Sequence, residues 1–205
     1  MNRPRTRPVF GLDIDGTMGD YYGHFLRFAE GWLGKPVDMN YDLRLPMARH
    51  LGVSKQTYRQ CKLAYRMGGL KRSVPALPWA SDLTRTLRSW GADVYICTTR
   101  PYLSHDNIDS DTRHWLRRNR FACKGVIWGE HKYRELARTV GRANVVGVLD
   151  DLPEMCAQAE SLGIPAVLAV RPHNTRAEWG GLRACNAEET VAVLKALLTD
   201  WRGKA

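Results

Sequence analysis

The chain has 205 residues, 44% of them hydrophobic and 25% charged. This composition excludes fibrous and largely disordered classes and suits one sizeable domain, or a domain with a small insertion. The 31 Lys and Arg against 21 Asp and Glu give a formal charge of +10, which favours anionic partners such as nucleotides, phosphorylated metabolites or nucleic acid ends, and equally serves solubility.

No apolar run approaches the roughly 20 residues of a membrane span, so no membrane association is expected. The opening "MNRPRTRP" is basic, with no apolar segment or cleavage signature after it, and does not read as a secretory signal. Arg3, Arg5 and Arg7 there supply part of the surplus charge and are expected in a disordered tail. The cysteines (Cys61, Cys97, Cys123, Cys156, Cys185) are scattered, odd in number and never spaced C-x-x-C. That pattern speaks against a disulfide framework or zinc site and for a reducing, cytoplasmic setting.

"PVFGLDI" reads as a first strand. From about Gly19 to Pro75 no convincing strand follows. Helical stretches "YYGHFLRFAEGWL" and "PMARHLGVSKQTYRQCKLAYRM" lie either side of "GKPVDMNYDLRL", and "GGLKRSVPALP" closes the segment as a Gly- and Pro-rich loop. The chain then alternates. "SDLTRTLRSWG" precedes "ADVYICTT"; "DSDTRHWLRRN", with Trp115 and Leu116 on one face, precedes "KGVIWG"; "HKYRELARTVG" precedes "NVVGVLDD"; "LPEMCAQAESLG" precedes "IPAVLAV". The last stretch, "NAEETVAVLKALLTDW", opens with Asn186 and Glu189 at capping-box spacing and reads as a helix.

Strands alternating with helices of this length imply parallel pairing through right-handed crossovers. Runs such as "VVGVL" are apolar throughout, as in strands covered on both faces. The fold class expected is α/β: a Rossmann-like parallel sheet of at least five strands flanked by helices. Residues 1–18 and 76–205 would form the core and 19–75 a helical insertion.

Polar residues gather at the predicted strand ends, the rim where open parallel sheets bind ligands. Asp13, Asp15 and Thr17 follow the first strand, Thr98, Thr99 and Arg100 follow "VYIC", and Asp150 and Asp151 follow "VVGVL". Lys132 opens the helix after "GVIWG". A strand-end Asp often caps the next helix. Two acidic pairs on one rim instead call for a cation, and hard oxygen ligands select Mg²⁺.

This ordered set resembles the haloacid dehalogenase superfamily of phosphotransferases. "DIDGT" matches its first motif, "YICTT" its second and "VLDD" its fourth, and Lys132 can serve as the third, with Lys124 and Arg134 as alternatives. The resemblance implies Asp13 as the nucleophile, Asp15 as the acid and base at the leaving oxygen and at water, and Thr98 and Lys132 as partners of the phosphoryl group. It implies Mg²⁺ held by Asp13, the main-chain carbonyl of Asp15 and Asp150, with Asp151, Thr17, Thr99 and Arg100 in support.

The insertion takes the place of that superfamily's small helical C1 cap. Its size and character are similar to the 5′(3′)-deoxyribonucleotidase branch, which implies a phosphorylated small-molecule substrate, a nucleoside monophosphate, with its base stacked on cap aromatics. Tyr21, Tyr22, Phe25, Trp32 and Tyr65 are the candidates, although a small cap also needs aromatics for its own core. "DTRHWLRRN" and "VVGVLDDLPEMCAQAESLGIPAVLAV" look similar to the 3′-phosphatase domain of polynucleotide kinases. Arg113, Arg117, Arg118 and Arg120 would suit nucleic acid ends, while no G-x-x-x-x-G-K-[ST] loop is present. A non-catalytic protein that uses the fold to bind nucleic acid or a partner is the third reading.

Overall fold

The computed structural model describes residues 7–101 and 104–204. Arg3 and Arg5 of the expected tail lie outside these residues; Arg7 is described, and reaches the Asp93 carboxylate at 3.5 Å.

Six parallel strands, β1 (Val9–Leu12), β2 (Asp93–Thr98), β3 (Gly125–Trp128), β4 (Val145–Asp150), β5 (Ala166–Ala169) and β6 (Leu182–Ala184), form one sheet in the order β3-β2-β1-β4-β5-β6. The chain therefore works outward from β1 through β2 and β3, then returns to the other side of β1 with β4. That reversal opens a crevice at the carboxyl ends of β1 and β4. Leu12 pairs with Ile96 on one side and Leu149 on the other, so Asp13 emerges level with the end of β4. Its N–H extends the ladder by one bond, to the Leu149 carbonyl at 3.0 Å.

The central strands β1 and β4 are buried along their whole length, which is why their sequences are apolar without alternation. On one face α4 (Ala80–Ser89), α5 (Asn107–Arg118) and α8 (Ala187–Lys204) bury Leu83, Leu87, Trp115, Leu194 and Leu198 against Phe10, Leu12, Ile96 and Leu149. On the other, α6 (Lys132–Val140) and α7 (Pro153–Ser161) bury Tyr133, Leu136 and Cys156 against Cys97, Val148 and Leu168.

Between β1 and β2 the chain forms α1 (Tyr21–Leu33), α2 (Met47–His50), α3 (Lys55–Met67) and a 3₁₀ turn at Leu70–Arg72. These helices have a separate apolar cluster of Phe25, Leu26, Ala29, Met47, Leu51, Cys61 and Tyr65. The second helical stretch read from sequence is two helices. Gly52 takes a left-handed φ of 59°, and the Ser54 side chain caps α3 by accepting from Thr57 N–H at 3.0 Å, a start signal that overrides the continuous apolar spacing. Strand β6 is the one beyond the five segments read from the sequence; at three residues, two of them exposed, it carries no periodicity to read. At α8, Asn186 Oδ1 accepts from Glu189 N–H at 2.8 Å, but the Glu189 carboxylate turns to the Cys185 N–H instead of closing the box.

Candidate active site

A tight turn follows β1. The Ile14 carbonyl accepts from both Met18 and Gly19 N–H at 2.9 Å, which reverses the chain within five residues and leaves Asp13 and Asp15 on separate sides of it. Gly16 makes the turn feasible: its φ is +98°, and a Cβ there would lie 2.1 Å from Asp151 Oδ2. Both the backbone and the neighbouring carboxylate therefore require glycine.

On the β4 side Asp13, Asp150 and Asp151 bring one oxygen each within 4.8 Å of the others, and all three are buried. Lys132, the first residue of α6 and only 1% exposed, reaches Asp13 Oδ1 at 2.5 Å and Asp150 Oδ2 at 2.7 Å. Of the three basic residues near the expected third motif, Lys124 instead pairs with Asp93 at 2.7 Å, and Arg134 is exposed. Burial, opposed by Lys132 and reinforced by Asp150 and Asp151, pushes the Asp13 carboxyl well above the usual carboxylate range. Burial and Asp150 do the same to Asp151. Burial alone would lower the Lys132 ammonium, but Asp13 and Asp150 outweigh it and raise the group.

Three carboxylates facing one ammonium leave the ionised cluster two positive charges short of neutral in a buried place. The donors are all oxygen. Such a set fits a hard divalent cation and is costly without one. The remaining lone pairs are oriented by neighbours: Thr17 Oγ1 donates to Asp151 Oδ1 at 3.0 Å, Leu152 N–H to Asp150 Oδ1 at 3.0 Å, and the Tyr133 hydroxyl to Asp150 Oδ2.

Asp15 sits in an opposite environment. Arg100 donates from Nε and Nη2 to its two oxygens at 3.0 and 2.6 Å, and Lys71 approaches Oδ2 at 2.5 Å. Both cations are almost fully buried, and Arg100 is braced by Thr112 Oγ1 at 3.0 Å. Burial would raise this carboxyl, yet Arg100 and Lys71 together hold it well below the ordinary range. Burial lowers Lys71 to about 7 despite Asp15. Thr98 closes β2 beside these groups and is buried, its Oγ1 accepting the Arg100 N–H at 3.2 Å; Thr99 is exposed.

The aromatics divide. Phe25 and Tyr65 are fully buried in the apolar cluster of the helical insertion, and Trp32 is exposed at 41%. Tyr21 lies under Lys71, whose Nζ is 3.8 Å from the ring centroid. Tyr22 turns the other way, stacked on Tyr41 at 5.1 Å and tilted against His173 at 4.1 Å.

Several site residues escape the sequence reading. Lys71 stands in a stretch that reads as loop. His173 and Asn174 follow β5; His173 Nε2 lies 2.7 Å from Asp151 Oδ2, and Asn174 Nδ2 donates to the Asp151 and Ala169 carbonyls at 2.7 and 2.9 Å. They lie near a strand end, as Asp13, Thr98 and Asp150 do, so the strand-end signal extends to "RPHN".

No family model matches the chain. The solved structures that share its fold include a haloacid dehalogenase family hydrolase of Deinococcus radiodurans with bound phosphate and sodium, at TM-score 0.67 and 15% identity over 95% of this chain and 97% of that one. A haloacid dehalogenase-like hydrolase of Streptococcus pneumoniae superposes at TM-score 0.61, with 15% identity over 92% and 98%. This chain has the haloacid dehalogenase fold. In that fold the β1–β4 crevice holds Asp13, Asp150, Asp151 and Lys132 at one point of the rim. In sequence, the chain is 26% identical over 200 residues to a Chlorobaculum tepidum protein described as "Putative 5′(3′)-deoxyribonucleotidase", covering 93% of this chain and 92% of the relative. Among the described residues no helix is long and apolar enough to cross a membrane.

Proposed function

We propose that this protein is a Mg²⁺-dependent phosphomonoesterase that works through an aspartyl-phosphate on Asp13, with nucleoside monophosphates as its substrates. The observation that carries the reading is the contact of one buried ammonium, Lys132, with both Asp13 and Asp150 inside a cluster of three buried carboxylates.

Asp13 would attack the phosphorus through its free oxygen. The P–O bond to the leaving group breaks, and the leaving oxygen takes a proton from Asp15. Water then attacks the same phosphorus, the bond to Asp13 breaks, and Asp15 accepts the proton that water loses, ready for the next turnover. Lys132 offsets charge on Asp13 and the phosphoryl group. The Thr98 hydroxyl accepts from Arg100 N–H and so keeps its own proton to give to a phosphoryl oxygen. Asp13, Asp150 and the main-chain carbonyl of Asp15, with Asp151 in support, would hold the Mg²⁺, which supplies charge stabilisation to an anionic transition state.

Residues 19–75 act in this reading as a cap over the crevice. Nucleosides are favoured by the description of the C. tepidum relative and by the Tyr22–Tyr41 pair beside His173, a stacking surface worth about 1–3 kcal/mol to a base. A chain with all its cysteines unpaired suits the cytoplasm.

The test is phosphate release from a panel of esters by purified protein with Mg²⁺, with and without chelator. Release from deoxynucleoside monophosphates that stops on chelation and returns with Mg²⁺ is the expected result. Release only from 3′-phosphorylated oligonucleotides would move the reading to nucleic acid ends. No release from any ester would leave a binding protein.

A further inference from the structure

Lys71 is a basic residue that the helical insertion sends to the Asp15 carboxylate. It lies on the 3₁₀ turn at Leu70–Arg72, is 4% exposed, and reaches back across 56 residues of chain to Asp15. Its surroundings fix its path. Nζ lies over the Tyr21 ring at 3.8 Å, where the negative face of the ring attracts the ammonium. The next residue, Arg72, reaches Asp111 of α5 at 3.5 Å, and Ser73 Oγ is 3.4 Å from His24 Nε2 of α1. The turn is thus tied to both α1 and α5.

Arg100 and Lys71 approach Asp15 from different parts of the chain, one from the end of β2 and one from the insertion. Arg100 grips both oxygens from one side. Lys71 adds a third contact, to Oδ2, from the insertion, so the carboxylate is held from two directions. Charge-assisted contacts of this type are the strong ones among hydrogen bonds. A group that must meet a leaving oxygen within hydrogen-bond reach loses about a hundredfold in rate for a displacement of 1 Å.

We propose that Lys71 is a positioning residue that aims the Asp15 carboxyl at the leaving group, so that the insertion takes part in the chemistry as well as in substrate choice. This deepens the phosphomonoesterase reading and rests on it.

The experiment compares two substrates on the same enzyme preparation: a deoxynucleoside monophosphate, whose alkoxide needs a proton to leave, and p-nitrophenyl phosphate, whose phenolate leaves without one. The value compared is kcat/KM, which covers events up to departure of the leaving group. In Lys71→Met it should fall about 30-fold for the nucleotide and less than about threefold for p-nitrophenyl phosphate. Because the ratio of the two substrates is independent of the fraction of folded enzyme, a poorly folding variant still gives an answer. Lys71→Gln, which keeps a donor without charge, should show the same pattern at smaller amplitude, and Lys71→Arg should recover most of the ratio. Equal losses on both substrates, or an unchanged ratio, would overturn the assignment while leaving the phosphomonoesterase intact. A wild-type enzyme inactive on both esters would overturn the two together.

Discussion

Replacing Lys132 by Met deletes the ammonium and keeps the approximate length of the side chain. Lys132 touches both Asp13 and Asp150 and is buried, so its loss strands two carboxylates that have no other cation in contact among the described residues. Removing one partner of a buried ion pair costs about 3–5 kcal/mol. In a chain of this length each kcal/mol moves Tm by about 2–4 °C, so metal-free Lys132→Met should melt roughly 6–20 °C below wild type. The deficit carries a pH signature. Burial raises Asp13 and Asp151 in the folded protein, and Lys132 opposes that rise in both. A carboxyl raised on folding binds more protons folded than unfolded, so stability falls as pH climbs above the unfolded value near 4. Without Lys132 the rise is steeper, and the gap to wild type should widen from pH 5 to pH 8. Mg²⁺ at a hundred times its Kd should return about 2.7 kcal/mol, and turnover should stay at least about a hundredfold down. Thermal melts at three pH values, with and without Mg²⁺, read all of this. A metal-free Tm within about 2 °C of wild type at every pH would refute the account of the cluster.

Three further outcomes are expected. Asp13→Asn should release no phosphate from any ester while keeping its circular dichroism spectrum, because shape and the Lys132–Asp150 contact survive; turnover near wild type would remove Asp13 from the reaction. Gly16→Ala should lose about 2–4 kcal/mol in urea unfolding, from a strained φ and a Cβ driven against Asp151, and should bind Mg²⁺ more weakly in a titration. Trp115, fully buried, stacked on Phe121 at 4.8 Å and donating Nε1–H to the Val74 carbonyl at 2.6 Å, should cost about 3–5 kcal/mol as Trp115→Ala, measured by the same unfolding curve.

The sheet was legible because its strands are apolar throughout and its helices have regular length, and those two facts fix parallel pairing. The rim residues were legible for a related reason: polar groups placed at the ends of such strands have only one side of the sheet to face. Short elements were not. Strand β6 has too few residues for a period, and the break between α2 and α3 depends on one glycine and one capping serine within an otherwise continuous apolar spacing. Lys71 was hidden most completely. Its neighbours in sequence, "GGLKRS", read as a solvated loop, and only the fold of the insertion brings its ammonium to a carboxylate 56 residues earlier. The aromatics of the insertion show the same limit from the other side. Composition offers Tyr21, Tyr22, Phe25 and Tyr65 as equals, whereas packing sends Phe25 and Tyr65 into the apolar cluster and turns Tyr21 and Tyr22 in different directions.

Asp13 and Asp15 are one residue apart, yet their surroundings push them in opposite directions. Asp13 is raised by burial and by two other carboxylates, while Asp15, although burial would raise it too, is held low by Arg100 and Lys71. The divergence begins at the turn: Gly16 bends the backbone so that the first carboxylate joins the end of β4 and the second meets the end of β2 and the insertion. Divergent environments around paired carboxyls are how one site can assign different tasks to the same functional group. At rest Asp15 is in the form that accepts a proton, which is the form that hydrolysis of an acyl phosphate by water requires. A cation among Asp13, Asp150 and Asp151 would bring Asp13 into its attacking form as well. In the proposed reaction, then, the two cations around Asp15 favour the hydrolytic half of the cycle, and the proton that Asp15 gives to the leaving oxygen in the first half has to be taken up with substrate bound.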